Sequence, residues 1–253
     1  EQSGVEKMSG PRGKAFELYL QGHLAKLFQS PHIDWDSFQE ALPFGHDASE
    51  SLDREGIRRA ADALADARQP TLVIGSQTLV NLEPDETHRL VDAIERLGLP
   101  TWLGGRARGL LGTDSDIEYK HKRTAALKES DLSIVSGFPF DFRLGYGRKI
   151  NSEATLVAAN LSEEDLTNNR EPDIGLQMHP GRFLVELAET FGTSRRGVWS
   201  GWFETLDERE TSREASIARQ AEEENDESGR VSPLYFFQRM DEAMDDDAVI
   251  VVD

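Results

Sequence analysis

The 253-residue chain contains no cysteine. Disulfides, thiolate catalysis and Cys-ligated metal sites are therefore excluded, and a reducing cytoplasm is the compartment that fits. Lysine is scarce: of 28 basic side chains only seven are Lys, against 21 Arg. No apolar run approaches the ~20 residues that a membrane span needs. The first residues also lack the basic and apolar regions of a signal peptide. His23, His32, His46, His88, His121 and His179 are scattered, with no HxH or HExxH pair, so a metal site is not expected. Neither a GxSxG elbow nor a GxGxxG after the first apolar run is present, which argues against a hydrolase triad and a simple dinucleotide fold.

What the chain has in excess is acid. Asp and Glu number 47, for a formal net charge of −19. Such a surface repels nucleic-acid phosphates and anionic membranes, so neither is an expected partner. Many acids with little Lys also suggest adaptation to high salt, where screening removes the cost of self-repulsion. The competing reading is an acidic protein from a Lys-poor genome. Hydrophobic residues make up 38%, enough to build a core.

Along the chain, residues 1–12 read as a solvated linker and 15–28 as a helix with an apolar stripe. Residues 30–50 are irregular, with Trp35, Phe38 and Phe44 as apolar pins. A regular alternation then begins. Helical patterns at 53–68, 85–97, 121–129, 162–168 and 180–191 interleave with short β-rich runs at 71–74, 100–103, 131–135, 154–159 and 174–178. Ser51 or Asp53 can cap the first helix, Gly98 closes the second, and Ser162 caps the short fourth. This order predicts an α/β, Rossmann-like fold: a parallel sheet of five or six strands with helices on both faces. The tail predicts a long polar helix at 199–224 with acid–base pairs at i,i+4 spacing. An acidic break follows at 222–229, then a helix at 233–244 capped by Ser232 and a strand at 248–252. Trp199, Trp202 and Phe203 are expected to dock the long helix. The expected divisions are a connector at 1–50, a central domain at 51–195, a linker at 196–231 and the start of a further domain at 232–253. A chain that stops on the first strand of a new unit, at Asp253, is expected to continue in a longer protein.

In open parallel sheets ligands bind at the carboxyl ends of the strands. Those ends carry Gly75-Ser76, Gly105-Arg106 with Gly109 beyond, Gly137, and Asn160 with Asp165. Glycines admit a ligand to the backbone, although tight strand-to-helix turns need them as well. Arg106, Arg108, Arg143 and Arg148 are the anion-binding candidates, the alternative being pairing with neighbouring acids. Asp141 between Phe140 and Phe142 reads as a cap.

The strings QPTLVIGSQTLV (69–80), LGLPTWLGGRARGLLG (97–112), RTAALKESDLSIVSG (123–137), DFRLGYGRKI (141–150) and AVIVVD (248–253) resemble the central domain of thiamine-diphosphate enzymes. Within them the closest resemblance is to the acetolactate-synthase-like group that includes a 2-hydroxyacyl-CoA lyase. It implies a carboligase or lyase whose catalytic groups lie in two flanking domains. A pyrimidine-binding domain would supply a Glu, and a diphosphate-binding domain a GDG…N motif for Mg2+ and thiamine diphosphate. Neither motif falls here, so the chain alone is expected to be inactive and the parent to be a homodimer or tetramer.

The resemblance also implies a middle-domain nucleotide, FAD or ADP, held at Gly75, Ser76, Gly105, Arg106, Gly109, Gly137, Arg143, Asn160 and Asp165. Three departures count against it. Pro139 stands where those proteins carry an Arg, Phe142 where the flavin pattern has Asp, and Asn160 where an acid follows the fourth strand. Arg143 is the candidate substitute, Asp165 keeps the later acidic position, and an empty structural domain or a stand-alone nucleotide- or CoA-binding module are the alternatives.

If the acidic surface is a salt adaptation, molar KCl raises the melting temperature well above its low-salt value, as read by circular dichroism. Equal melting in both would remove that reading.

Overall fold

The computed structural model describes residues 52–192, 196–223, 231–245 and 248–250, together with Lys14, residues 17–19 and Gln21. The chain divides into two units, Glu1–Glu50 and Ser51–Asp253. In the first, residues 14, 17–19 and 21 are helical and exposed, in the region where a helix is expected. The rest of that helix, the linker at 1–12 and the pins Trp35, Phe38 and Phe44 lie outside the described residues.

In the second unit the alternating pattern becomes five parallel strands: β1 (Pro70–Ile74), β2 (Thr101–Leu103), β3 (Leu132–Ser136), β4 (Thr155–Asn160) and β5 (Ile174–Gln177). Their order is β2-β1-β3-β4-β5. β1 and β3 bury every residue, as central strands of a sheet covered on both faces must. The register is level at the carboxyl ends: Ile74 pairs with Leu103 and with Ser136, and Ser136 with Ala159. The loops beginning at Gly75, Gly104, Gly137 and Leu161 therefore leave one edge of the sheet together. The outer edge of β2 is covered by residues 117–119. Thr101 N donates to Ile117 O and Tyr119 N to Thr101 O, both at 2.8 Å.

Helix ends follow local chemistry. α1 (Arg54–Asp66) starts where Asp53 Oδ1 accepts the Gly56 N–H at 2.8 Å. α2 (Pro84–Leu97) has a capping box between Glu83 and Glu86, and ends on Gly98 at φ 60°. α3 (Arg123–Glu129) is a short helix between β2 and β3. α4 (Glu163–Thr167) is capped by Ser162, which accepts the Asp165 N–H. α5 (Pro180–Phe191) is capped by buried His179, an uncommon choice. His179 Nδ1 accepts from Gly181 and Arg182 while Nε2 faces the Val80 carbonyl at 2.8 Å. A carbonyl only accepts, so the proton sits on Nε2. α1 and α2 each pack on α5. The strand order reverses after β2, so right-handed crossovers put α2 on one face and α3 on the other.

The tail helices are α6 (Ser200–Glu223), preceded by a 3-10 turn at Arg196–Trp199, and α7 (Pro233–Ala243). α6 docks as expected of its aromatic residues. Trp199, Trp202 and Phe203 are buried. The Trp199 indole N–H donates to Ala67 O at 2.9 Å and that of Trp202 to Pro70 O at 3.0 Å. A large apolar body with one satisfied donor suits an indole to this seam.

Two tail expectations need correction. Of the expected i,i+4 pairs α6 offers only one, Arg219 with Glu223, and the Glu223 side chain lies outside the described residues. Its charged residues reach the body of the domain instead, Arg209 to Glu129 at 2.7 Å and Glu214 to His121 at 2.8 Å. A helix lying along a folded surface finds partners there with less exposure than its own next turn offers. Residues 248–250 form no strand. A strand needs a neighbour for its backbone groups, and among the described residues none pairs with them. Residues 251–253 and most of the acidic break lie outside the described residues.

Trp202→Ala removes one of the two indole anchors. Stability is expected to fall by about 3–5 kcal/mol, measured by urea unfolding of the wild-type chain and the variant.

Candidate ligand site at the strand ends

The level register brings the predicted lip residues to one edge, but they meet different neighbours. Gly75 and Gly137 lie against each other: a Cβ on Gly75 would run into the Gly137 carbonyl, and one on Gly137 into Thr78. Gly137 also has φ 65°, which glycine adopts without strain. Gly75 N donates to Ser136 O and Gln77 N to Gly137 O, so the loops after β1 and β3 are tied together. Ser76 Oγ turns toward the β2 loop and accepts the Arg106 N–H at 3.1 Å, beside Gly105.

Gln77 ties in the β4 loop. Its amide donates to Asp165 Oδ2 at 2.6 Å and its carbonyl accepts from Leu161 N at 3.2 Å. Asn160 is fully buried. Its Nδ2 contacts the carbonyls of Phe138 and Asp165, while its Oδ1 has no hydrogen-bond partner.

Arg143 is the expected substitute for the Arg that Pro139 displaces. It is committed elsewhere, its guanidinium donating to both Asp141 oxygens at 2.7–3.1 Å. Asp141 also accepts the Arg143 backbone N–H, so it caps the 3-10 turn Phe142–Leu144 as its position predicts. Burial alone would raise the Asp141 pKa, but the bonds from Arg143 outweigh it and hold the carboxyl below its ordinary value. The same pairing raises Arg143. Arg143 and Arg123 both lie over the Phe138 ring, at 5.0 and 5.6 Å from its centre. Arg123 donates to the Arg143 carbonyl at 2.8 Å. Arg148 lies over Tyr146.

The open space is on the β2 side. A cleft of about 1070 Å³ has Trp102 and Leu103 at its base. The loop carrying Arg108, Gly109 and Gly112 and the segment 118–125 line it. Beside Gly109 a Cβ would meet nothing within 4 Å. Five cations line this cleft, Arg108, Lys120, Lys122, Arg123 and Lys128, against one acid, Glu118. Three of the seven Lys of the chain are thus gathered here. Among the described residues none of the five is in an ion pair. Burial, and secondarily the nearby Arg108 charge, lower the Arg123 pKa. Burial raises Glu118, with Lys120 opposing and Glu210 adding to the rise.

Of the predicted residues, Arg108 and Gly109 line this space, while Arg106 and Arg148 lie at other turns of the edge. Lys120, Lys122, Arg123 and Lys128 were not picked out. Their sequence signal is four cations within nine residues of a strongly acidic chain.

The Asp141 contacts have a pH signature. A carboxyl whose folded pKa is depressed contributes stability above its unfolded pKa and loses it as pH falls through the folded value. Asp141→Asn is expected to cost about 1 kcal/mol at neutral pH, the size of a lost cap. The difference from wild type should shrink to nothing in strong acid, as followed by thermal unfolding.

Comparison with known proteins bears on this edge of the sheet. The model described as thiamine pyrophosphate enzyme, central domain, matches residues 57–187, which span all five strands. The 2-hydroxyacyl-CoA lyase 2 of Caenorhabditis elegans is 35% identical over 244 residues, covering 95% of this chain and 37% of that protein. The protein of the same name in Danio rerio is 31% identical over 260 residues, covering 98% and 40%. The acetolactate synthase large subunit IlvG of Mycobacterium tuberculosis is 28% identical over 256 residues, covering 100% and 43%. The chain spans about two fifths of the length of these curated relatives. No helix among the described residues is long and apolar enough to cross a membrane. Residues 57–187 are a thiamine pyrophosphate enzyme central domain, and the chain belongs to that family.

Proposed function

We propose that this chain is the middle domain of a cytoplasmic thiamine-diphosphate lyase or carboligase, and that its basic cleft takes the diphosphate of a nucleotide such as ADP or FAD. The carrying observation is the cleft itself: five cations with no ion-pair partner among the described residues, around about 1070 Å³ in a chain of net charge −19. Clustering like charges costs energy unless a counter-charge arrives, so the arrangement favours a polyvalent anion. Arg108 and Arg123 would grip phosphate oxygens, and Lys120, Lys122 and Lys128 would neutralise the rest. Phe138, held under Arg123 and Arg143, fixes the wall between cleft and lip. The tied loops at Gly75, Gly137 and Asp165 leave the β2 side as the way in. Asn160 Oδ1, buried and without a donor, would accept from a ligand hydroxyl or amino group reaching across the lip.

Thiamine diphosphate supplies carbanion stabilisation when bound. No GDG…N sequence occurs among these residues, so the cofactor and its Mg2+ would be held by flanking domains. This domain's part is to hold those domains in register, in a dimer or tetramer. The full-length protein, supplied with thiamine diphosphate and Mg2+, is expected to cleave a 2-hydroxyacyl-CoA. Acetolactate formation in its place would assign the carboligase reading, which the similarity to acetolactate synthase favours. Neither reaction would remove both.

For the cleft, ADP or FAD at 100 times its dissociation constant should stabilise the chain by ~2.7 kcal/mol. The Arg108→Gln, Lys128→Gln double variant should bind at least ~10-fold more weakly, a loss of ~1.4 kcal/mol or more. Affinity should fall with added salt. An unshifted melting temperature at millimolar ADP, FAD and CoA would leave the domain a ligand-free scaffold.

A further inference from the structure

A second group of side chains lies where α6 crosses the segment that leaves the β2 edge. Glu210 and Glu214 are one turn apart on α6, so their carboxylates share a face. Glu210 is held by the facing backbone: Oε1 accepts the Lys120 N–H at 2.9 Å and Oε2 the His121 N–H at 3.1 Å. These bonds fix the plane of the carboxylate and leave each oxygen a further lone pair. Glu214 Oε1 is 2.8 Å from His121 Nε2. One nitrogen and two carboxylate oxygens, from His121, Glu210 and Glu214, lie within 4.8 Å of one another. Among the described residues neither Glu is paired with Lys or Arg.

We infer that His121, Glu210 and Glu214 bind one divalent transition-metal ion of the zinc type, which clips α6 to the rim of the basic cleft. One imidazole with two carboxylates suits Zn2+, Co2+ or Ni2+. Mg2+ and Ca2+ prefer oxygen alone. The ion takes the place of the hydrogen bond between His121 and Glu214: Nε2 gives its lone pair to the metal and the ring proton moves to Nδ1. Glu214 is exposed and His121 and Glu210 are half-buried, so water completes the shell and the ion enters from solvent. The two N–H donors to Glu210 act as the outer layer that orients a metal ligand. His121 also lines the cleft, so the ion sits beside the proposed anion site without drawing on any of its five cations.

Spacing rules miss this group because His121 and the two Glu are 89 and 93 residues apart. The competing explanation is a plain ion pair with protonated His121, and the two separate cleanly. The whole 253-residue chain, stripped with EDTA, is titrated with Zn2+ by calorimetry and with Co2+ by visible absorption at constant pH and high salt. The clip predicts one saturable Zn2+ per chain, a melting temperature raised by Zn2+ and Co2+ bands of low coordination number. It also predicts an affinity at least ~10-fold lower in both His121→Ala and Glu214→Gln, each of them folded by circular dichroism before metal is added. Three results would overturn it: no saturable one-to-one binding, binding unchanged in both variants, or Ca2+ competing as well as Zn2+.

Discussion

The close approach of Gly75 and Gly137 organises everything at the ligand edge. β1 and β3 are the central pair, and the strand order reverses beside them. In most open sheets that reversal opens a crevice. Here the two loops are tied backbone to backbone, Gln77 extends the tie to Asp165, and free volume is displaced toward β2. The Arg108 loop and the 118–125 segment then have the space to diverge and form the basic cleft. A side chain at either glycine would push the loops apart and redistribute that volume.

Charge follows the same geometry. Acids dominate the surface, yet the few lysines are not evenly spread. Some acids and bases form short local contacts, as in Asp141 with Arg143 and Glu55 with Arg58. Such exposed pairs add little stability. The cleft is different because, among the described residues, its cations have no acidic partner. Positive charge among the described residues is therefore concentrated at one end of the sheet edge.

The sheet and most helix ends were legible because their signals are local. Asp53, Ser162 and Gly98 each act within one turn of their own position. The aromatic triplet at 199–203 declared its docking because polar helices rarely carry two indoles on one side. Arg143 was legible only as a cation; that Asp141 claims it depends on a turn three residues long. The cleft was missed because Arg108 and the 120–128 cluster become neighbours only after β2 and α3 are placed. His121 with Glu210 and Glu214 is the same failure over a longer separation. Residues 248–250 have strand composition but form no strand, because composition supplies no hydrogen-bond partner.

The short bridge at Thr101 has a wider meaning. An exposed edge strand is a template for pairing with other chains, and aggregation is its usual penalty. At the start of β2 that role is blocked, because residues 117–119 already occupy the outer hydrogen-bonding groups of Thr101. β5, at the other end, is only four residues long and alternates buried with exposed positions, too short to seed an extended ladder. The sheet thus offers only a short stretch of free edge at either end, which limits strand recruitment from neighbouring chains.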